Sequence, residues 1–239
     1  MEIELSKKPK NPIIIDGFPG IGLVATIATE FLIEHLKAKE IGHVKGKEIP
    51  PMVAVHEQKI VKPMSIFYDE KHNLMILHVI SGSGGMEGEL ADLLLKKADE
   101  LDAKEIVCLE SVGVPGEAKE TGQVKSFFWA NKKENIDRIA KIGAEPLAEG
   151  IIMGVTGALM QRANHVPLSC LFAETHSGLP DSKAAAKLIE LLDAYLGLEV
   201  DPKPLIESAE KFEKKIRQLI AKGKEATTEA EKRRLSYVG

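Results

Sequence analysis

The sequence predicts a three-layer α/β protein on a mostly parallel sheet, carrying a C-terminal helical arm. Runs without polar alternation at 12–16, 106–109 and 168–173 read as strands buried on both faces. They alternate with segments of helical period such as 87–101 and 181–196, and strands of that kind need helices on either side. Asp201-Pro-Lys-Pro204 then breaks the pattern, and Leu205, Ala209, Phe212, Ile216 and Leu219 recur at alternating steps of four and three, a heptad seam. The chain therefore divides into an α/β body, residues 1–200, and a helical arm and tail, residues 201–239.

In order, 12–16 is a strand ended by the tight turn Gly17-Phe-Pro-Gly-Ile-Gly22. A helix follows over 21–37, with Ile27, Phe31 and Leu32 near one face. Short strands are expected at 41–47 and 52–56, broken by Pro50-Pro51, then at 60–68 and 74–80 around a hairpin turn at Lys71-His72-Asn73. Ser81-Gly-Ser-Gly-Gly85 reads as a loop before the 87–101 helix, whose apolar phase is Leu90, Leu93, Leu94, Ala98 and Leu101. The 106–109 strand runs into a loop at Glu110-Ser-Val-Gly-Val-Pro-Gly116. A strand at 126–130 carries the single tryptophan, Trp129, and 134–142 reads as a short helix. Segment 150–161 reads as a turn and a buried helix, 168–173 as a strand, and 181–196 as a helix capped by Asp181 or Ser182.

Composition excludes several function classes. With 44% hydrophobic and 28% charged residues in 239, the chain can build a core and is not disordered throughout. An aromatic content of 5% and a pI near 6.0 argue against base stacking and broad nucleic-acid binding. The arm holds ten Lys/Arg against seven Asp/Glu, a net +3, which leaves the body acidic within a total of −4. The longest uncharged apolar stretch, 150–160, falls short of the ~20 residues that span a membrane. Cys108 and Cys170 lie in apolar runs and read as reduced, buried residues. A soluble, cytoplasmic protein is the expectation.

Candidate chemistry gathers at the carboxyl ends of the strands, where open α/β sheets bind ligands. Gly17, Gly20 and Gly22 could bring backbone N–H groups to an anion. Yet their order is not G-x-G-x-x-G, and Pro19 removes one donor, so a tight turn required by packing explains them better. Ser83 invites comparison with a nucleophile elbow, but position 81 is serine where the first glycine should stand. Asp16, Glu110, Glu174 and His176 would share the same edge, either as acid–base groups or as caps for helices and loops. Histidines are scattered, with no H-E-x-x-H and no C-x-x-C, so no metal and no cofactor is expected. At the other end, Leu235, Tyr237, Val238 and the Gly239 carboxylate follow the charged run Glu231-Lys-Arg-Arg234 and suit capture in a partner's pocket.

Asp16-Gly-Phe-Pro-Gly-Ile-Gly-Leu-Val-Ala25, Ser81-Gly-Ser-Gly-Gly85, Met153-Gly-Val-Thr-Gly-Ala-Leu159 and Glu174-Thr-His-Ser-Gly-Leu-Pro180 together resemble the proteasome assembly chaperone family, archaeal branch. The resemblance implies a fold related to nucleoside phosphorylases and hydrolases, without an established catalytic role. It also implies homo-oligomers, a possible paralogous partner, and binding to the 20S proteasome or its α-subunits. Activators of this kind can end in a hydrophobic–tyrosine–any tripeptide. Here Tyr237 is third from last and Ser236 precedes it, so the tripeptide is out of register. The expectation is a non-enzymatic, ATP-independent chaperone or scaffold. The alternative is a small-molecule hydrolase or phosphorylase-like enzyme using the carboxyl-edge loops.

Overall fold

A computed structural model describes residues 1–49, 53–56, 58–80, 84–113, 124–175 and 180–207. Its elements are β1 (Glu2–Leu5), β2 (Ile13–Gly17), a 3-10 turn (Ile21–Leu23), α1 (Val24–Leu36), β3 (Lys39–Lys45), β4 (Ala54–His56), β5 (Lys59–Val61), β6 (Met64–Asp69), β7 (Leu74–Val79) and α2 (Glu87–Glu100). There follow β8 (Glu105–Gly113), β9 (Ser126–Ala130), α3 (Lys133–Ile139), a second 3-10 turn (Ala140–Ile142), β10 (Glu145–Pro146), α4 (Gly154–Arg162), β11 (Leu168–Thr175) and α5 (Ser182–Leu196).

Among the described residues, nine strands form one sheet in the order β1-β3-β6-β7-β2-β8-β11-β9-β10, while β4 and β5 pair as a separate ribbon. The centre, β7-β2-β8-β11, is parallel. On the flanks β1 on β3, β3 on β6, β6 on β7 and β9 on β11 run antiparallel, while the two-residue β10 pairs parallel with β9 at the edge. The sheet is therefore mixed rather than mostly parallel. Residues 70–73 join β6 to β7, which is too short a link for the crossover a parallel pair requires.

Helices cover both faces. Ile14, Leu77, Ile106, Cys108, Cys170 and Phe172 pack with Leu90 and Leu94 of α2 and Leu159 of α4. Their neighbours Ile15, Ile76, Val107 and Leu171 pack on the other face with Leu32 of α1 and Leu188 and Leu192 of α5. The split follows from strand geometry, in which successive side chains point to opposite faces. Both cysteines are free and buried, and they are direct partners across β8 and β11.

The expected strand at 60–68 is two strands, interrupted before Met64 by Lys62-Pro63. The loop expected from Glu110 onward is strand as far as Gly113, because β8 stays paired with β11 up to Thr175. Asp181 caps α5 by accepting the Ala184 N–H at 3.0 Å. Residues 203–207 are helical, and Leu205, 7% exposed, joins the core on the α1/α5 face. No helix among the described residues is long and apolar enough to cross a membrane.

Candidate functional site

At the carboxyl edge of the parallel strands, the loop after β2 is tied to its neighbours by three links. Ser111 Oγ donates to the Ile21 carbonyl at 2.7 Å. The Asp181 N–H donates to the Gly22 carbonyl at 2.8 Å. Thr175 Oγ1 donates to Asp181 Oδ2 at 2.8 Å, joining β11 to the same corner. Gly22 and Leu23 take left-handed backbone, with φ of 69° and 50°, to turn the chain into α1. Gly17 is required by proximity, since a Cβ there would overlap the Thr29 side chain of α1.

The anion under this loop is the protein's own. Glu110 Oε1 accepts the Ser111 N–H at 3.0 Å, Oε2 accepts the Thr156 hydroxyl at 3.2 Å, and the carboxylate fills the space beside Gly20. Burial raises the Glu110 pKa, and the Ser111 and Thr156 donors oppose it. Asp16 lies deeper, 1% exposed, opposite Cys108 on β8. Neither carboxylate oxygen of Asp16 has a hydrogen bond of ordinary geometry. Burial pushes its pKa up to about 7; the Cys108 thiol and the Phe18 N–H favour the charged form, and the Glu110 charge disfavours it. His78, next along the edge on β7, faces Thr29 across 2.9 Å from Nδ1, and burial lowers its pKa to about 4.

A cavity of about 630 Å³ opens between this loop, the end of β8 and residues 145–155. Its walls include Phe18, Val112, Phe127 and Ile152, with Ser111 as the hydroxyl-bearing residue. Among the described residues, the charged ones lining it are Glu110, Glu145 and Glu149. Around it Ile21, Ile151 and Met153 are 50%, 89% and 76% exposed.

Of the sequence-predicted residues, Asp16, Gly17, Gly20, Gly22 and Glu110 are brought together here. Glu174 is the partner of Val112, one pair beyond Phe172 and Glu110 on the same sheet face, but it does not line the cavity. Ser83 and His176 lie outside the described residues, as do Phe212, Ile216, Leu219, Leu235, Tyr237, Val238 and Gly239. Sequence reasoning missed Thr156 and the wall at 145–153, although Thr156 stands inside the Met153–Leu159 string that carried the resemblance. Chemically, the described residues of the corner offer two acids, Asp16 and Glu110. Its wall hydroxyl, Ser111, is engaged with a carbonyl rather than with a base. No group of three or more His, Cys, Asp and Glu side chains among the described residues is placed to hold a metal.

An uncharacterized protein of Methanocaldococcus jannaschii is 29% identical over 212 residues, covering 88% of this chain and 86% of that one. The crystal structure of Pyrococcus furiosus PbaA, described as an archaeal homolog of proteasome-assembly chaperone, superposes with a TM-score of 0.81 at 27% identity and covers 98% of both chains. Pyrococcus furiosus PbaB, described as an archaeal proteasome activator, shares the fold at a TM-score of 0.75 and 24% identity, covering 91% of this chain and 97% of its own. The PAC2 family profile matches residues 14–220, which takes in the sheet apart from its edge strand β1, both helical layers and the carboxyl-edge corner: the chain belongs to the PAC2 family.

Proposed function

We propose that the chain is a non-enzymatic, ATP-independent chaperone-like or scaffold protein. It associates with itself or with a paralogue and binds proteasome α-subunits, or a related partner, through its surface and its C-terminal segment. The observation that carries this reading is the β4–β5 ribbon. Val53, Val55 and Ile60 are 55%, 71% and 65% exposed, and Val55 and Ile60 are direct cross-strand partners outside the main sheet. Adjacent exposed apolar side chains of this size mark interaction surfaces on soluble proteins. The likeness to PbaA along 98% of both chains supports the choice of partner. Residues 208–239 would add Leu235, Tyr237 and Val238 as a docking element, with several copies on one oligomer raising affinity by avidity. Two reduced, buried cysteines suit a cytoplasmic setting. The kinship with nucleoside phosphorylases and hydrolases belongs to this reading as one of fold, not of reaction.

Light scattering on the eluting protein, alone and mixed with proteasome α-subunits, tests it. An oligomeric mass that co-elutes with α-subunits is expected. A monomer that does not co-elute, or pure protein with hydrolytic or phosphorolytic turnover lost in Glu110→Gln, would overturn it in favour of the enzyme alternative.

A further inference from the structure

The cavity beside Glu110 calls for a ligand of defined charge. Its size, about 630 Å³, lies within the ~300–1,000 Å³ of small-molecule sites. Among the described residues, its charged lining is acidic: Glu110, Glu145 and Glu149. A concave surface of one sign attracts the opposite charge from solution. Anions are disfavoured for a second reason. The first turn of α4, a natural anion site, already meets the Glu110 carboxylate through Thr156. From the described residues each Glu110 oxygen accepts one hydrogen bond, and a carboxylate oxygen has a further lone pair for an incoming donor. Behind it lies the buried Asp16 carboxyl, so a cation at Glu110 would ease the repulsion between the two acids. The remaining wall, from Phe18 to Val112, Phe127 and Ile152, is apolar.

We propose that this cavity binds a small organic cation, an ammonium group on an apolar body, with the ammonium on Glu110 and the body against Phe18, Phe127 and Ile152. The site is independent of the partner reading above.

The test uses the full chain and three indole probes that differ in head group: tryptamine, tryptophol and indole-3-acetate. Titration calorimetry near neutral pH should give a Kd for tryptamine below about 1 mM, at least about tenfold tighter than tryptophol, with indole-3-acetate weakest. Glu110→Gln keeps the shape and should bring tryptamine to the tryptophol level. Ala148→Trp, at an exposed position on the cavity wall, should weaken tryptamine and keep the site testable if Glu110→Gln fails to fold. Equal binding of the three probes, tryptamine binding unchanged in either folded variant, or no tryptamine binding at about 1 mM would overturn the proposal.

Discussion

Gly20 and Glu110 share one space: the Glu110 carboxylate lies where a side chain on residue 20 would begin. The backbone of Gly20 is extended, with φ of −115°, so any residue could adopt it. The glycine is needed for room, and the room is filled by an acid whose donors come from β8 and α4. The loop's composition thus reflects an internal contact.

Gly20→Ala should therefore swing Glu110 away from Ser111 and Thr156, at a cost of about 1–2 kcal/mol. In a Glu110→Ala background the same substitution should cost almost nothing. Urea denaturation of the four proteins in the cycle measures this coupling, and additive losses would mean that Gly20 serves another purpose.

Asp16 and His78 should give opposite pH dependences in one window. Asp16 is raised from 3.8 to about 7 in the fold, so its contribution is full below pH 3.8 and is lost as pH rises toward 7. His78 is lowered from 6.5 to about 4, so its contribution is full above pH 6.5 and is lost as pH falls toward 4. Each swing is worth about 3–4 kcal/mol, and the two offset one another in the intact protein. Asp16→Asn should leave a protein that loses stability on acidification from 6.5 to 4. His78→Asn should leave one that loses stability as pH rises from 4 to 7. Chemical denaturation across that range reads both slopes, and parallel slopes in the two variants would refute the assignment.

Tyr195 on α5 donates to both oxygens of Glu105 at 3.0 Å, and Asn135 on α3 donates to Oε1 at 2.7 Å. Burial raises the Glu105 pKa, while these donors and the Arg138 charge lower it. Tyr195→Phe should destabilise by about 1–3 kcal/mol, because it removes the one O–H shared by the two oxygens of a buried acid. Tyr195→Phe in a Glu105→Gln background should cost less, as measured by thermal or chemical unfolding.

On the β4–β5 ribbon, Val55→Glu with Ile60→Lys preserves a favourable cross-strand pair and removes the apolar surface. The variant should keep its circular dichroism and lose oligomer mass in sedimentation. An unchanged mass would place self-association elsewhere.

The buried centre of the fold was legible because β2, β8 and β11 carry continuous apolar runs, which only burial on both faces explains. What escaped was local or relational. β1 offers one buried residue among four, and β10 has two residues, both exposed, so neither has a period to detect. Glu110 read as the start of a loop because it is charged, whereas the donors that let it remain in a strand come from the next residue, Ser111, and from a distant helix. The apolar stretch at 150–153 read as part of a turn and buried helix, yet Ile151 and Met153 stand exposed beside the cavity. Their environment depends on the loop after β2, far away in the chain. That Asp16 and Glu110 share a corner was legible from strand order; that Ser111 and Thr156 hold the Glu110 carboxylate was not.

The central claim, partner binding by the body and the C-terminal segment together, is tested most directly by affinity for proteasome α-rings. Three proteins are compared: the full chain, one lacking residues 237–239, and one lacking 208–239. Leu205 belongs to the body's core, so the longer deletion spares it. The account predicts binding by the full chain and at least about tenfold weaker binding, ~1.4 kcal/mol, for both truncations, with the fold intact. Equal affinity for all three, or no binding by the full chain, would contradict it.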